Sequence, residues 1–374
     1  MNNHRPHLCL ALLAAALLGG SSAIAEESAS STNGNVYVLS NQSDGNQVLI
    51  FHRDFTGRLN FVGGAATGGN GAGSGTDPLQ SQSPVVLSAG GRFLFAVNAG
   101  SNSISAFRVF GNKLVAANSV PSGGTMPVSL TVRKNLLYVV NAADAPNISG
   151  FTIDKDTGNL TPLSGSTQSL PGGAEAAPAQ IAFVPGQDVL MVTEKGTSQI
   201  DSFALDTKGV ARTGMAFPSS KPTPFGFAFA GPSQVALVAD AAAGKPMKSA
   251  LSSYNVDTDG ALSVVDGGEA NLQTASCWVA VTDDGGYAYV VNTASGTISS
   301  YNVSVGGDPT LLSGTAGGGN VPTDAALSRE SRYLYVRNGG DGTISQFRRL
   351  ADGGLRLVDV TKGLPVGAAG LAAR

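Results

Sequence analysis

The chain is poor in cysteine, histidine, tryptophan and charge, and each shortage closes off a class of protein. Of its two cysteines, Cys9 lies in an N-terminal segment that reads as removed, so Cys277 stands alone. A lone cysteine forms no internal disulfide, and stability must come from a packed core. Cys277 itself reads as a small buried hydrophobe. His4 and His7 fall in the same N-terminal segment, which leaves His52 as the one histidine of the mature chain. A single histidine cannot build a multi-histidine metal centre, and neither metal nor cofactor is expected. Charged residues make up only 13% of the chain, and no Lys/Arg cluster suggests a nucleic-acid footprint. No segment of ten or more residues carries a helical amphipathic period, so an α/β fold is excluded.

The N-terminus reads as a targeting segment. Arg5 precedes an apolar run over residues 8–18, too short to span a bilayer, and Ala23-Ile24-Ala25 supplies a cleavage site. Residues 1–25 are therefore expected to be a signal peptide and residues 26–34 a flexible linker, with an exported, periplasmic or secreted chain from residue 35 to residue 374. No other stretch reaches transmembrane length. Of the 23 basic and 26 acidic residues only Arg5 lies in the first 25, so the mature net charge is about −4. Glycine is abundant, at 50 residues, as expected for many short strands joined by tight turns.

What fills the chain is one sentence repeated seven times: an apolar strand ending in Asn or an acid, a short polar loop, and a strand closing on an aromatic. Leu94-Phe95-Ala96-Val97-Asn98 leads to Ile104-Ser105-Ala106-Phe107, and Tyr138-Val139-Val140-Asn141 leads to Ile148-Ser149-Gly150-Phe151. Tyr289-Val290-Val291-Asn292 and Tyr335-Val336-Arg337-Asn338 lead in the same way to Tyr301 and Phe347, and weaker copies close on Phe51, Phe203 and Tyr254. The closing aromatics recur at intervals from 44 residues (Phe107 to Phe151) to 56 (Phe51 to Phe107). A period in that range means one supersecondary unit stacked on its neighbours. Each unit carries four strand signals, lettered A to D here, with turn chemistry such as Asp156-Thr157-Gly158-Asn159 between C and D. The expected fold is all-β, a seven-bladed propeller of four-stranded blades. The first recognisable strand, Val36-Tyr37-Val38-Leu39, matches strand B, and residues 364–371 resemble a strand A. The C-terminal segment should therefore complete the first blade and close the ring.

Candidate site residues come from comparing copies around the ring. Strand B ends on Asn41, Asn98, Asn141, Glu194, Asp240, Asn292 and Asn338. The asparagines read as Asx-type caps. Glu194 and Asp240 depart from them, either as a general base or ligand facing the channel, or as Asx-like caps, or in a pairing with Lys195 or Lys245. A second ring position, near the start of strand A, holds Pro84, Pro127, Gln180, Gly226, Trp278 and Asp324. Trp278 is either a stacking platform or a core residue. Gln180 and Asp324 are placed to line the same funnel, and Arg337 either points a cation into it or pairs with an acid of a neighbouring blade. Two connections are long: residues 63–84, Gly/Ser-rich and expected to be flexible, and residues 241–250, with Lys245 and Lys248. One Trp is too few for the docking motifs of quinone-cofactor propellers.

The run from Pro84 through Ser88-Ala89-Gly90-Gly91-Arg92 to Asn98 resembles the blade signature of the lactonase-like seven-bladed propellers. These include 6-phosphogluconolactonases and carboxymuconate-cyclising enzymes, and they border the YVTN-type surface propellers, whose Tyr-Val-x-Asn pattern is seen at Tyr138, Tyr289 and Tyr335. The resemblance covers residues 35–374 and implies lactone chemistry at one central blade, where family enzymes carry Pro-Arg-His, Phe-His-Pro and Asn-Glu-Leu stretches. Here the matching residues are Pro178-Ala179-Gln180, Phe183-Val184-Pro185 and Thr193-Glu194-Lys195. Glu194 keeps the acidic position, while Ala179, Gln180 and Val184 replace the Arg and His residues. Opening a lactone needs a proton shuttle and an electrophile for the oxyanion, and Glu194 beside Gln180 supplies at most half of that. The expected function is a non-catalytic propeller, monomeric, binding a small molecule or an envelope protein on its loop face. The alternative is a periplasmic lactone hydrolase or cyclase rearranged around Glu194, Asp240 and Arg337.

Overall fold

The computed structural model describes Met1 and residues 33–374 except 232–234. The signal segment and residues 26–32 of the linker lie outside the described residues. Seven antiparallel sheets follow one another around a ring. The first blade pairs Ala369–Ala373 with Gly34–Leu39, then Gln47–Arg53 and Leu59–Ala66. The second runs Val85–Leu87, Phe93–Asn98, Ser103–Phe110 and Lys113–Pro121. The remaining five open on Thr125–Arg133, Pro178–Phe183, Pro224–Phe229, Ser276–Val281 and Pro322–Leu327, each the innermost strand of its blade. Among the described residues the only helical segments are three short 3-10 turns.

Ring closure follows the reading of the two ends. The last strand pairs Ala373 with Val36, Ala372 with Tyr37 and Ala369 with Leu39. It starts a few residues later than the segment 364–371, because Leu364 and Ala368 pack as an apolar lead-in beside Tyr333, Tyr335 and Ile344.

The repeated residues are the ones that join blade to blade. All seven closing aromatics are buried, from Phe51 to Phe347. The tyrosines of the Tyr-Val-x-Asn copies reach across to the next blade's C–D turn. The Tyr138 hydroxyl donates to Gly209 O (2.6 Å), Tyr289 to Gly353 O (3.0 Å) and Tyr335 to Gly57 O (3.0 Å). Gly57 sits at φ +90, and a Cβ there would strike the ring of Tyr333, so glycine is required on both counts. Each such bond satisfies a buried hydroxyl and fixes the angle between neighbours.

The long first D–A connection is not a loose loop. The outer strand extends to Ala66, so the connection starts at Thr67 rather than Gly63. Residues 67–84 cross the loop-face mouth of the central channel, with Leu79, Ser81 and Gln82 buried. Flexibility was expected from its glycines, but its polar atoms find partners that ordinary loops lack, namely backbone groups of the inner strands. The connection 241–250, by contrast, leaves Lys245 and Lys248 exposed.

Candidate functional site

The mouth of the channel is built by the innermost strands and stoppered by residues 67–84, which bond to all seven blades. Gly73 N donates to Asn41 O in the first blade, and Asn70 O accepts from Gly100 N in the second. Ser81 Oγ donates to Val128 O and Ser83 O accepts from Leu130 N in the third. Gln82 N donates to Ala179 O in the fourth. The Gln82 side chain bridges two more blades, donating to Phe227 O (3.4 Å) and Val279 O (2.9 Å) and accepting from Val279 N (3.0 Å). Arg337 Nη2 of the seventh blade donates to Thr76 O at 3.1 Å. Gly226 is what admits Gln82, since a Cβ there would collide with Gln82 Oε1.

The ring position near the start of strand A serves this architecture. Gln180 Oε1 accepts from Phe227 N at 2.6 Å, and Ser129 Oγ accepts from Ile181 N at 3.2 Å, so each joins its inner strand to the next. Register shifts after Pro127 make Ser129, not Pro127, the third blade's member of this ring. Trp278 is 1% exposed, packs on Phe225 with centroids 5.0 Å apart, and donates Nε1–H to Ser81 O at 2.9 Å. Of the two alternatives for Trp278, its position is the buried one, beneath the stopper.

The ends of strand B behave as caps, with two departures. Asn98 donates to Ser105 (2.8 Å), Asn292 to Ser299 (2.9 Å) and Asn338 to Ser345 (2.8 Å), each to the adjoining strand C. Asp240 keeps the same arrangement, accepting from Ser252, and burial raises its pKa well above the ordinary carboxylate range. In the fourth blade the pair is two acids. Glu194, fully buried, accepts from Gly172 N (3.0 Å) and from the Thr197 hydroxyl, while Asp201 takes the serine's place. Neither Asp201 oxygen has a donor, and burial followed by Glu194 beside it pushes its pKa up to about 10. Asp201 is therefore a protonated acid at neutral pH. Glu194, Asp240 and Arg337 share no hydrogen-bonding partner, and neither Lys195 nor Lys245 pairs with Glu194 or Asp240 among the described residues.

Charge collects elsewhere in the mouth. Lys195 donates to Gln80 O (2.6 Å) and Pro178 O (3.1 Å) and lies 4.9 Å from the Phe225 ring centre. Burial pulls its pKa down to about 8. Burial likewise pushes Asp77 up to about 6 and Asp324 up to about 7, against the pull of Arg337 on both. Asp324 holds a left-handed φ of +73, a strained setting for a non-glycine residue. Cys277, its thiol pushed up to about 12 by burial, lies in reach of the same charges. The structure thus gathers Gln180, Trp278, Asp324 and Arg337 at one mouth and adds Asp77, Gln82 and Lys195. Glycine at position 226, where other blades carry larger side chains, was the sequence signal that something enters there. The opposite mouth, among A–B turns, holds a cavity of about 700 Å³ lined by residues including Asp283, Arg329 and Arg374.

These features define an all-β seven-bladed propeller whose loop-face mouth is closed by its own chain. The chain belongs to the lactonase, seven-bladed β-propeller family, whose model matches residues 36–172 and 240–368, well over half of the sequence. The unmatched stretch between them contains the whole fourth blade. The fold is similar to that of a Lactobacillus plantarum protein (TM-score 0.70, 19% identity), with 90% of this chain and 98% of that one covered. It is also similar to a candidate 6-phosphogluconolactonase of Bacteroides fragilis (TM-score 0.67, 19% identity, 91% and 97% covered). A periplasmic gluconolactonase of Pseudomonas aeruginosa gives a TM-score of 0.68 at 16% identity, with 91% and 99% covered. The sequence matches no curated protein.

Proposed function

We propose that this chain is an exported, non-catalytic member of the lactonase propeller family that binds a small ligand at its loop face. The observation that carries this is the stopper. Residues 67–84 occupy the mouth where a substrate would have to enter, tied to every blade. The fourth blade supports the same reading. Ala179 is fully buried, Val184 is core, and Gln180 is committed to Phe227 N, so none of the three supplies a proton shuttle or an oxyanion electrophile, and Glu194 and its acid neighbour Asp201 are both fully buried, away from any substrate. Export rests on the N-terminal signal pattern and fits the periplasmic location of the Pseudomonas aeruginosa protein. No helix among the described residues is long and apolar enough to cross a membrane. The chain is read as a monomer, to be checked by light scattering.

The test is a panel of δ- and γ-lactones, sugar and non-sugar, followed by acid release from the purified protein and its Glu194→Gln variant. The expected result is no rate above spontaneous hydrolysis for either. Turnover by the parent that Glu194→Gln abolishes would overturn the proposal in favour of a lactone hydrolase centred on Glu194.

A further inference from the structure

The junction between the second and third blades departs from the others in two ways, and a cavity lies where the departures meet. At two other junctions a pair of strand-B tyrosines bonds the next blade's C–D turn. Tyr287 and Tyr289 donate to Ala351 O and Gly353 O, and Tyr333 and Tyr335 to Phe55 O and Gly57 O, each at 2.9 or 3.0 Å. The second blade holds Phe93 and Phe95 at these two positions, so no hydroxyl reaches the third blade's turn. That turn is also longer. Gly158 N closes on Asp154 O four residues back, whereas Gly57, Gly209, Gly260, Gly307 and Gly353 each close on a carbonyl three residues back. Lys155 belongs to the lengthened turn.

The cavity holds about 400 Å³ and lies among the A–B and C–D turns, on the face opposite the stopper. That volume is in the range of about 300–1,000 Å³ usual for small-ligand sites. Phe93, Val132 and Ile153, buried or half-buried, make its floor, and the exposed Arg92, Lys134 and Lys155 stand on its rim. The rim is held in place. Ser88 O accepts from Gly91 N (2.7 Å), Ser88 Oγ accepts from Phe93 N (3.1 Å), and Arg374 Nη1 donates to Gly91 O (2.9 Å). Lys134 takes a left-handed φ of +54 in its A–B turn, where the second, fourth and sixth blades use Gly91, Gly186 and Gly285. A lysine there gives up the ease of glycine and places a charge at the cavity.

Neither Arg92 nor Lys134 takes part in an ion pair among the described residues. The Arg92 guanidinium lies 5.2 Å from the Phe93 ring centre, steadied on the apolar floor. Lys155 is already paired with Asp156 at 2.7 Å, and Asp154 accepts from Asp156 N, Thr157 N and the Thr157 hydroxyl within its own turn. Two cations are thus left for an occupant, above a floor that only an apolar group can use. We propose that this cavity binds a small amphiphilic carboxylate, its apolar body on Phe93, Val132 and Ile153 and its acid head on Arg92 and Lys134. One acid head suits a rim whose third cation is taken, and the planar Arg92 fork matches a carboxylate. The site is separate from the loop face and does not depend on what binds there.

The probe is naphthoate, titrated calorimetrically into the purified protein at neutral pH, with naphthol and inorganic phosphate for comparison. Naphthoate should bind at least about tenfold more tightly than either. Arg92→Gln and Lys134→Gly, both at exposed turn positions, should melt within a degree or two of the parent, yet each weaken naphthoate by about threefold or more. Ala89→Trp, which fills the exposed edge of the cavity without touching a charge, should abolish binding. No binding by the parent, or binding that all three variants leave unchanged, would overturn the proposal. Naphthol binding as tightly as naphthoate would refute the acid head, and phosphate binding as tightly would refute the apolar body. Phosphatidylglycerol vesicles that take up the parent but not Lys134→Gly, with naphthoate unable to compete, would assign the patch to a membrane surface and overturn the soluble ligand.

Discussion

Removing the last strand tests the ring more directly than any other change. Truncation after Gly363 deletes Leu364, Ala368, Ala369, Leu371 and Ala372, each no more than 9% exposed. It also strips the ladder partner from Gly34–Leu39, where Val36, Tyr37, Val38 and Leu39 are at most 1% exposed. The bonds from Arg374 N to Asn35 O and from Asn41 Nδ2 to Gly367 O go with it. Each deleted leucine is worth about 2–3 kcal/mol and each lost ladder or cap bond about 1 kcal/mol. With the alanines and the newly exposed inner strand the loss approaches about 10 kcal/mol, comparable with the whole stability of an ordinary domain at about 5–15 kcal/mol. The truncated chain should show no cooperative transition by far-UV circular dichroism. Leu371→Ala, a single cavity, should keep the transition but lower stability by about 2–4 kcal/mol. A truncated chain that melts within a degree or two of the parent would refute the reasoning.

Gln82→Ala leaves Val279 N–H, Val279 O and Phe227 O without their side-chain partner. It should cost about 1–3 kcal/mol and speed limited proteolysis within residues 67–84; an unchanged cleavage map would argue against the stopper. Stability should fall as pH rises from about 5 to about 8. Asp324 and Asp201 have native pKa values near 7 and 10, far above the ordinary carboxylate value, so between those limits the native state binds more protons than the unfolded chain. Each such carboxyl then removes up to about 1.4 kcal/mol per pH unit. Urea midpoints that rise over this range, or that Asp201→Asn fails to flatten, would contradict that account.

The fold was legible because its determinants repeat. Alternating apolar strands, turn glycines and closing aromatics need only their neighbours in sequence to be recognised, and the missing first strand A announced its replacement at the far end. The asparagine caps were legible for the same reason, since Asn98 and Ser105 lie seven residues apart on adjoining strands. The candidate site was legible only in part. Gln180, Trp278, Asp324 and Arg337 do lie at one mouth, although each is bound to backbone there. Glu194 and Asp240, singled out as the acids of the ring, sit sealed within their own blades, because a strand-B terminus points at strand C rather than down the channel. Asp201, the acid that pairs with Glu194, looks like any strand residue until the register is known.

By itself the sequence determined the architecture: a period near fifty residues, four strand signals in each, and apolar faces on both sides of strand B permit one kind of ring. Local periodicity suffices because each blade contacts mainly the next. What fills the centre of that ring was decided only by tertiary structure. Residues 67–84 have the composition of a flexible linker, and nothing local holds them. Their order comes from groups on all seven blades, among them the backbone of four inner strands, brought within hydrogen-bond distance only when the ring closes. The charges of Asp77, Lys195, Asp324 and Arg337, scattered over 261 positions from first to last, acquire their shifted protonation and their common address in the same step.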